Sequence, residues 1–291
     1  TCDANDEGYK KMAEFYASKG VTSFQFTTMT LPKDDLINIL SQIKKYIGSQ
    51  HSGGAIAQGV YLEGPFISPL KKGAQDESHI SLPDINLFNE LNKASGPNIN
   101  VVTVAPEMSG SKEFIEYASN ICKVSIAHTD ADFETAVLAI ENGASNITHI
   151  FNAMPPFHHR NSGTIGAGFD TDAVTIEMIC DGVHIKPEVI RTVFKIAQDR
   201  IILISDSMMA SGLSDGEYTL GGQYVKVENN VARLESGTIT GSASNLYDCV
   251  KNCINFGIKP ELAIKSASYN PAKLIGKGNE IGSIKQGKYA D

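Results

Sequence analysis

The sequence has no tryptophan, no CxxC pair among its five cysteines, no excess of basic residues and no apolar run of membrane-spanning length. Each absence removes a class of protein. Without a run of roughly 20 apolar residues no transmembrane helix is expected, and the opening at Thr1 carries no signal-peptide pattern. A formal charge of −8 gives no electrostatic reason to bind nucleic acid or an acidic membrane surface. Any anionic group on a small ligand must then be met by individual cations. Cys2, Cys122, Cys180, Cys249 and Cys253 are odd in number. Neither a disulfide framework nor a zinc knuckle is expected, and a reducing cytoplasm is the simplest setting. Cys249 and Cys253 lie four apart in a helical pattern, where one buried face accounts for both.

With 42% hydrophobic residues in 291, the chain can bury a substantial core. It shows no internal repeat. Strand-like runs alternate with helical ones instead. Strands are expected at 20–28, 55–65, 100–107, 123–131, 145–153, 173–182 and 200–208. Helical patterns follow most of them, including KDDLINILSQIKKYI at 33–47, with apolar residues at i, i+3, i+4 and i+7. A Gly/Pro-punctuated excursion runs from the second strand to about residue 81.

Seven strands with intervening helices predict a parallel sheet. A closed (β/α) barrel uses eight strands in about 250 residues. The chain opens on EGYKKMAEFYASKG, a helical pattern of the kind that follows a strand. The expected architecture is therefore a (β/α)8 TIM-type barrel over residues 1–275 that lacks its first strand, which would lie upstream of Thr1. An open doubly wound sheet is the competing arrangement. Residues 215–242 read as a β-hairpin insertion around Gly221-Gly222 and Asn229-Asn230. Helical stretches follow at 245–256 and 260–268, and the tail, 276–291, reads as turning back toward a β-segment.

In such a barrel the C-terminal ends of the strands share one mouth. Glu63 ends VYLE, His128 ends VSIAH, His149 ends NITH and Asp206 ends ILISD, while Asp181 and His184 follow TIEMIC. A lone strand-end histidine is usually an ordinary polar group. Two of them with a Glu, each at the same end of its own strand, make a divalent-cation site with open positions. Asp206 beside such a cation is expected to have a lowered pKa and to stay ionised. It can then take a proton from a water acidified by the cation and pass it to a leaving nitrogen, which is cation-assisted hydrolysis. The stretch THIFNAMPPFHHR holds three histidines, of which only His149 ends a strand. His158 is expected to be inert, and His159 with Arg160 to be either loop charges or an anion site. His51 and His79 are expected to be solvated. Asp130, Asp132 and Asp181 are as suited to helix capping as to reaction.

YLEGPFISPLKKGAQ, AHTDA, GASNITHIFNAMPPFHHRNSG, ICDGVHI, LISDSM and GTITGS, in that order, resemble the N-acetylglucosamine-6-phosphate deacetylase family of the amidohydrolase superfamily. The likeness runs from about residue 7 to the end. It implies a (β/α)8 barrel with a small β-domain built from both termini, of which 276–291 would be the start of the C-terminal part. It also implies a homodimer and hydrolysis of the acetamide of N-acetylglucosamine 6-phosphate. Glu63, His128 and His149 match the family's ligands for Zn²⁺ or Fe²⁺, Asp206 its general base and acid, and His184 a catalytic and substrate-contacting histidine. Asn152, Ala153 and Ile239 of GTITGS match substrate contacts. Arg160 matches an arginine that reaches the phosphate in the neighbouring subunit. Gln75 stands where the family usually has a substrate-touching histidine. The absent first strand would carry the residues that decide between one cation and two. Alternatives are deacetylation of a related N-acyl amino sugar phosphate, another amide hydrolysis or deamination in the superfamily, and a non-catalytic sugar-phosphate binder. No strand-end lysine accompanies these ligands, which disfavours a cyclic-amide hydrolase.

Overall fold

A computed structural model describes residues 4–49 and 53–290; Cys2 and His51 lie outside the described residues. The elements run in chain order as α1 (Asp6–Ser18), β1 (Ser23–Thr27), α2 (Lys33–Gly48), β2 (Ile56–Leu62), α3 (Ile85–Ser95), β3 (Ile99–Val104) and α4 (Ser111–Ala118). They continue through β4 (Lys123–Ile126), α5 (Phe133–Glu141), β5 (Ala144–Ile147), α6 (Gly163–Asp170), β6 (Thr175–Ile179), α7 (Pro187–Ala197) and β7 (Ile201–Ile204). All seven strands join one sheet in the order β1-β2-β3-β4-β5-β6-β7, every pair parallel. A doubly wound sheet reverses its strand order at a switch point. This one never reverses, so the singly wound, barrel-type arrangement holds.

Two-residue alternation sorts each strand. Val60 and Leu62 of β2, Val102 and Val104 of β3, Val124 and Ile126 of β4, and Ile176 and Met178 of β6 join the core formed with the helices. That core takes Leu36, Ile39, Leu40 and Ile43 from α2, all buried, at the spacing read from the sequence. The opposite faces of the strands carry Tyr61, Thr103, Ser125, Asn146 and Glu177, also buried. The inside of the sheet is thus unusually polar.

Helix ends follow local chemistry. The Asp84 carboxylate accepts from the Asn86 and Leu87 amides to start α3, and Gly96 in the left-handed region ends it. Asp132 caps α5 through the Thr135 amide at 2.9 Å, which settles its role as structural. α6 was not expected, because its sequence, GTIGAGFD, is glycine-rich. A Cβ on Gly168 would stand 2.5 Å from Ile147 Cδ1. Gly168 lets this helix lie against β5 without displacing the Ile147 side chain.

After β7 come β8 (Gly216–Leu220), β9 (Gln223–Glu228) and β10 (Val231–Leu234), an antiparallel sheet ordered β10-β9-β8, as the hairpin pattern predicts. Its own small core includes Val225, Val227 and Ala232. Helices α8 (Leu246–Asn255), α9 (Pro260–Ala267) and α10 (Tyr269–Leu274) follow. Cys249 and Cys253 are buried on one face of α8, and the four cysteines of the described residues are free thiols. Residues 276–290 form turns and no strand. No described helix is long and apolar enough to cross a membrane.

Candidate functional site

Glu63 follows β2 directly, while His128, His149 and Asp206 stand two residues beyond β4, β5 and β7. The strand expected at 145–153 stops at Ile147 because the chain then turns sharply. His149, Phe151 and Ala153 all have positive φ, as do His128 (φ 44°) and Asp206 (φ 47°). Non-glycine residues adopt this region at a cost, and such strain gathers at functional sites. Here it turns three strand-end side chains into the mouth. Gly64 (φ +69°) is equally constrained: a Cβ there would stand 2.2 Å from Thr30 Oγ1.

Three donor atoms converge from this rim. His128 Nε2 lies 3.1 Å from Glu63 Oε1 and 3.2 Å from His149 Nε2, and His149 Nε2 lies 4.0 Å from Glu63 Oε1. All three residues are buried, and this is the one group of His, Cys, Asp or Glu among the described residues placed to hold a metal ion. His128 Nδ1 donates to the Lys71 carbonyl at 2.8 Å, since a carbonyl can only accept. In the neutral ring its Nε2 then presents a lone pair toward a carboxylate oxygen and a second imidazole nitrogen. Acceptors facing one another at about 3 Å need a positive centre between them, a proton or a metal ion. The donor set of two imidazoles and one carboxylate, with space left over, suits a divalent cation.

The electrostatics follow from burial and this crowding. Burial acts to raise the Glu63 carboxyl, but the His128 hydrogen bond and the two histidine charges outweigh it, leaving it below the ordinary value. For His128 burial acts downward and is overcome by the bond and charge of Glu63, so its pKa is raised. His149 is driven down to about 4, first by burial and then by the charge of His128. In the metal-free chain burial, then the charge of Glu63, push Asp206 up to about 6. The lowered pKa expected from the sequence belongs to the carboxylate beside a bound cation, whose attraction acts against both effects.

His184 is oriented by its neighbour. Its Nδ1 donates to Asp181 Oδ2 at 2.6 Å, while Asp181 Oδ1 accepts from the Val183 and His184 amides. Asp181 is thus an orienting carboxylate, and the His184 Nε2 is left to face the cleft. Asp130 pairs with Lys71 Nζ at 3.2 Å on the loop that also receives His128 Nδ1.

Gln75 is buried, and its amide is engaged at both ends. Nε2 donates to Glu63 Oε1 at 3.0 Å, and Oε1 accepts from the Thr30 amide at 2.6 Å. The backbone donor fixes which end is oxygen. Sequence reasoning expected a substrate contact here and missed this hold on Glu63. Gln75→Leu is expected to weaken cation binding about 10-fold or more, the usual effect of losing an outer partner of a ligand. A competition titration against a chromophoric chelator measures it. A changed KM with unchanged cation affinity would assign Gln75 to the substrate alone.

Glu63, Gln75, His128, His149, His184 and Asp206 line one cleft of ≈ 1680 Å³ that also includes Asn152, Ala153 and Ile239. Its size exceeds the roughly 300–1,000 Å³ of most small-ligand sites. The cleft runs on from the mouth into the seam between β1 and β7, whose edges are not paired with each other among the described residues. The tip of the β8–β9 hairpin reaches this mouth, where Gln223 Nε2 donates to the Ala74 carbonyl at 2.6 Å. Arg160 is elsewhere. It is exposed, outside the cleft lining, with its guanidinium 2.7 Å from His159 Nε2. His158 is exposed too and accepts from the Arg160 amide; His79 is half-buried near Asp76.

Comparison with known proteins places these features in context. The amidohydrolase family profile matches residues 6–291. N-acetylglucosamine-6-phosphate deacetylase of Bacillus subtilis (strain 168) is 36% identical over 296 residues, covering 100% of this chain and 75% of that protein. N-acetylgalactosamine-6-phosphate deacetylase of Escherichia coli O157:H7 is 35% identical over 285 residues, covering 96% and 74%. Among solved structures, a mutant N-acetyl-D-glucosamine-6-phosphate deacetylase from Mycobacterium smegmatis, in complex with N-acetyl-D-glucosamine-6-phosphate, superposes with a TM-score of 0.94. It is 30% identical, over 100% of this chain and 76% of that one.

Proposed function

The chain belongs to the amidohydrolase family, and from that premise we propose that it removes the N-acetyl group from N-acetylglucosamine 6-phosphate, giving glucosamine 6-phosphate and acetate. The observation that carries this reading is the convergence of Glu63, His128 and His149, with Asp206 lining the same cleft and feeling the charges of Glu63 and His128. Those three residues would hold one divalent cation, Zn²⁺ or Fe²⁺. When bound, the cation supplies Lewis-acid polarisation of the acetyl carbonyl and acidifies a water.

The chain's own residues do the rest. Asp206 Oδ takes a proton from the attacking water as its oxygen bonds to the acetyl carbon. The same carboxyl then returns that proton to the sugar nitrogen as the C–N bond breaks. His184, held through Nδ1–H by Asp181, donates from Nε2–H to the acetyl oxygen as negative charge develops on it, a role that requires a proton on both ring nitrogens. Asn152, Ala153, Gln75 and Ile239 shape the sugar pocket. Arg160, on its exposed loop outside the cleft, serves the phosphate in the neighbouring subunit of a homodimer. Free thiols and the absence of any described membrane helix suit a cytoplasmic enzyme of amino-sugar catabolism.

The decisive assay is acetate release from N-acetylglucosamine 6-phosphate by the Zn²⁺- or Fe²⁺-supplemented protein, run beside the galacto epimer. The relative that acts on N-acetylgalactosamine 6-phosphate makes that epimer the second substrate to try. No acetate from either, with cation bound, would sink the reading. Arg160→Ala is expected to raise KM for the phosphorylated sugar about 10-fold or more, as loss of a charged phosphate contact does. Unphosphorylated N-acetylglucosamine should be little affected. Equal effects on both sugars would remove Arg160 from phosphate recognition.

A further inference from the structure

One layer beneath the cation ligands, the inside of the sheet holds a connected set of polar side chains from four strands. Tyr61 comes from β2, Ser125 from β4, Asn146 from β5 and Glu177 from β6, with Thr148 just beyond β5. Glu177 is 2% exposed, and no cationic side chain among the described residues pairs with it. Asn146 Nδ2 lies 2.8 Å from Glu177 Oε1 and 2.9 Å from Ser125 Oγ. Tyr61 Oη lies 3.1 Å from Glu177 Oε2 and 2.7 Å from Thr148 Oγ1, which in turn lies 2.6 Å from Ser125 Oγ.

The layer touches the ligands through the chain itself. Thr148 directly precedes His149, and Tyr61 stands two residues before Glu63 on the same face of β2. The main chain of Glu177 takes part as well, its carbonyl accepting from the Ile150 amide at 2.9 Å. Such a centre is costly unless every member is satisfied, and apolar side chains would have filled the space more cheaply. The mechanism proposed above uses none of these groups.

We propose that Glu177 is a positioning residue, whose carboxyl fixes the strand ends bearing Glu63 and His149 through its bonds with Tyr61 and Asn146. It acts as a neutral group carrying its own proton. A buried carboxylate with no cation beside it is far less favourable than the acid, and burial pushes Glu177 up to about 8, outweighing the lowering effect of its Asn146 and Tyr61 hydrogen bonds, with the charges of Glu63 and Asp206 adding to the rise. With the acid neutral, the bond between Tyr61 Oη and Oε2 runs from the carboxyl proton to the hydroxyl, the reverse of the direction in which an ionised carboxylate accepts from Tyr61. The tyrosine hydroxyl donates on to Thr148 Oγ1, and that hydroxyl to Ser125, while Asn146 supplies the donor to Oε1. Every bond in the chain then has one donor and one acceptor. An amide can replace the acid in this arrangement, because its NH₂ takes the place of the O–H. A hydrocarbon cannot.

The test is Zn²⁺ affinity, measured on the full chain by chelator competition, beside thermal melting of the metal-free protein. Glu177→Gln is expected to stay within about threefold of wild type, and Glu177→Leu to bind about 10–100-fold more weakly, the range seen when outer partners of ligands are removed. Should Glu177→Leu not fold, Tyr61→Phe carries the test, since it keeps the ring and deletes only the hydroxyl that joins Glu177 to Thr148. It is expected to lose about 10-fold. Wild-type affinity in Glu177→Leu or Tyr61→Phe, even with a lower melting point, would reduce the layer to packing and overturn the proposal. So would a Glu177→Gln as weak as Glu177→Leu. The proposal rests on reading Glu63, His128 and His149 as a cation site. It does not depend on the substrate, because a protein that bound Zn²⁺ and released no acetate would refute the deacetylase reading and leave this measurement standing.

Discussion

Asp206→Asn is expected to keep its cation and lose acetate release by on the order of 10³–10⁴-fold, the upper range for removing a general acid–base group. Asp206 is not one of the three residues whose donor atoms converge, so the cation site survives the change. Asparagine keeps the shape of the carboxyl and one acceptor oxygen but can neither take a proton from water nor return one to nitrogen. Cation content and turnover, measured on the same sample, separate the two roles. A variant as fast as wild type would remove Asp206 from the chemistry.

The same substitution has a second consequence of opposite sign. In the metal-free protein burial and Glu63 raise Asp206 from 3.8 to about 6. A carboxyl raised on folding stabilises while protonated, below its unfolded value, and that contribution is lost as pH rises through about 6. At neutral pH the metal-free wild type therefore bears the cost of an ionised, desolvated Asp206. The neutral amide removes it, so metal-free Asp206→Asn should be more stable by roughly 1–3 kcal/mol. A bound cation relieves the same cost by attraction, so the gap between variant and wild type should shrink once Zn²⁺ is added. Inactivity with raised stability is the pattern expected where function holds a charge in an unfavourable place.

The strand ends that form the site were legible because the two patterns involved are strong. Period-two apolar strands located the sheet, and a polar residue just past each strand located its rim. α2 and the β8–β9–β10 hairpins were legible for similar reasons, through spacing and through paired Gly-Gly and Asn-Asn turns. What stayed hidden depended on packing between distant segments. The helix at 163–170 was disguised by its glycines, and the contact of one of them, Gly168, with Ile147 appears only in three dimensions. The early end of β5 depends on left-handed backbone at His149 and Ala153, a conformation no propensity announces for those residues. Gln75 bonds Glu63 from twelve residues away, across a loop, and Glu177 looked like any polar residue in a strand. A carboxylate in the middle of TIEMIC, flanked by apolar residues, was the one available sign that the inside of this sheet is polar.

Loading the metal-free protein with Zn²⁺ is expected to release up to about one proton per cation, a larger fraction as pH falls, and to stabilise the fold strongly. The proton comes from His128, whose Nδ1 is committed to the Lys71 carbonyl and whose Nε2 faces Glu63 at 3.1 Å. Its raised pKa favours the protonated ring in the metal-free protein, and a cation must displace that proton. His149, lowered to about 4, gives up none, because it is already neutral. Affinity should therefore fall about tenfold for each pH unit below the His128 pKa, the behaviour of one competing proton. Calorimetry in two buffers of different ionisation enthalpy counts the proton directly, and an affinity flat from pH 5 to 7 would show that His128 carries none. The neutral His149 adds its own dependence. A histidine whose pKa is depressed on folding stabilises above its unfolded value of 6.5, and that stability drains away as pH falls from there toward about 4. Acid thus weakens the metal-free fold through His149 and cation loading through His128. At a free cation concentration 1,000 times Kd the bound form gains about 4 kcal/mol, so chelation should lower the melting temperature sharply. His149→Ala should abolish that difference, since it removes a ligand itself and so costs more than the roughly 10–100-fold of an outer partner. A His149→Ala protein still stabilised by Zn²⁺ to the wild-type extent would place the cation somewhere other than between Glu63, His128 and His149.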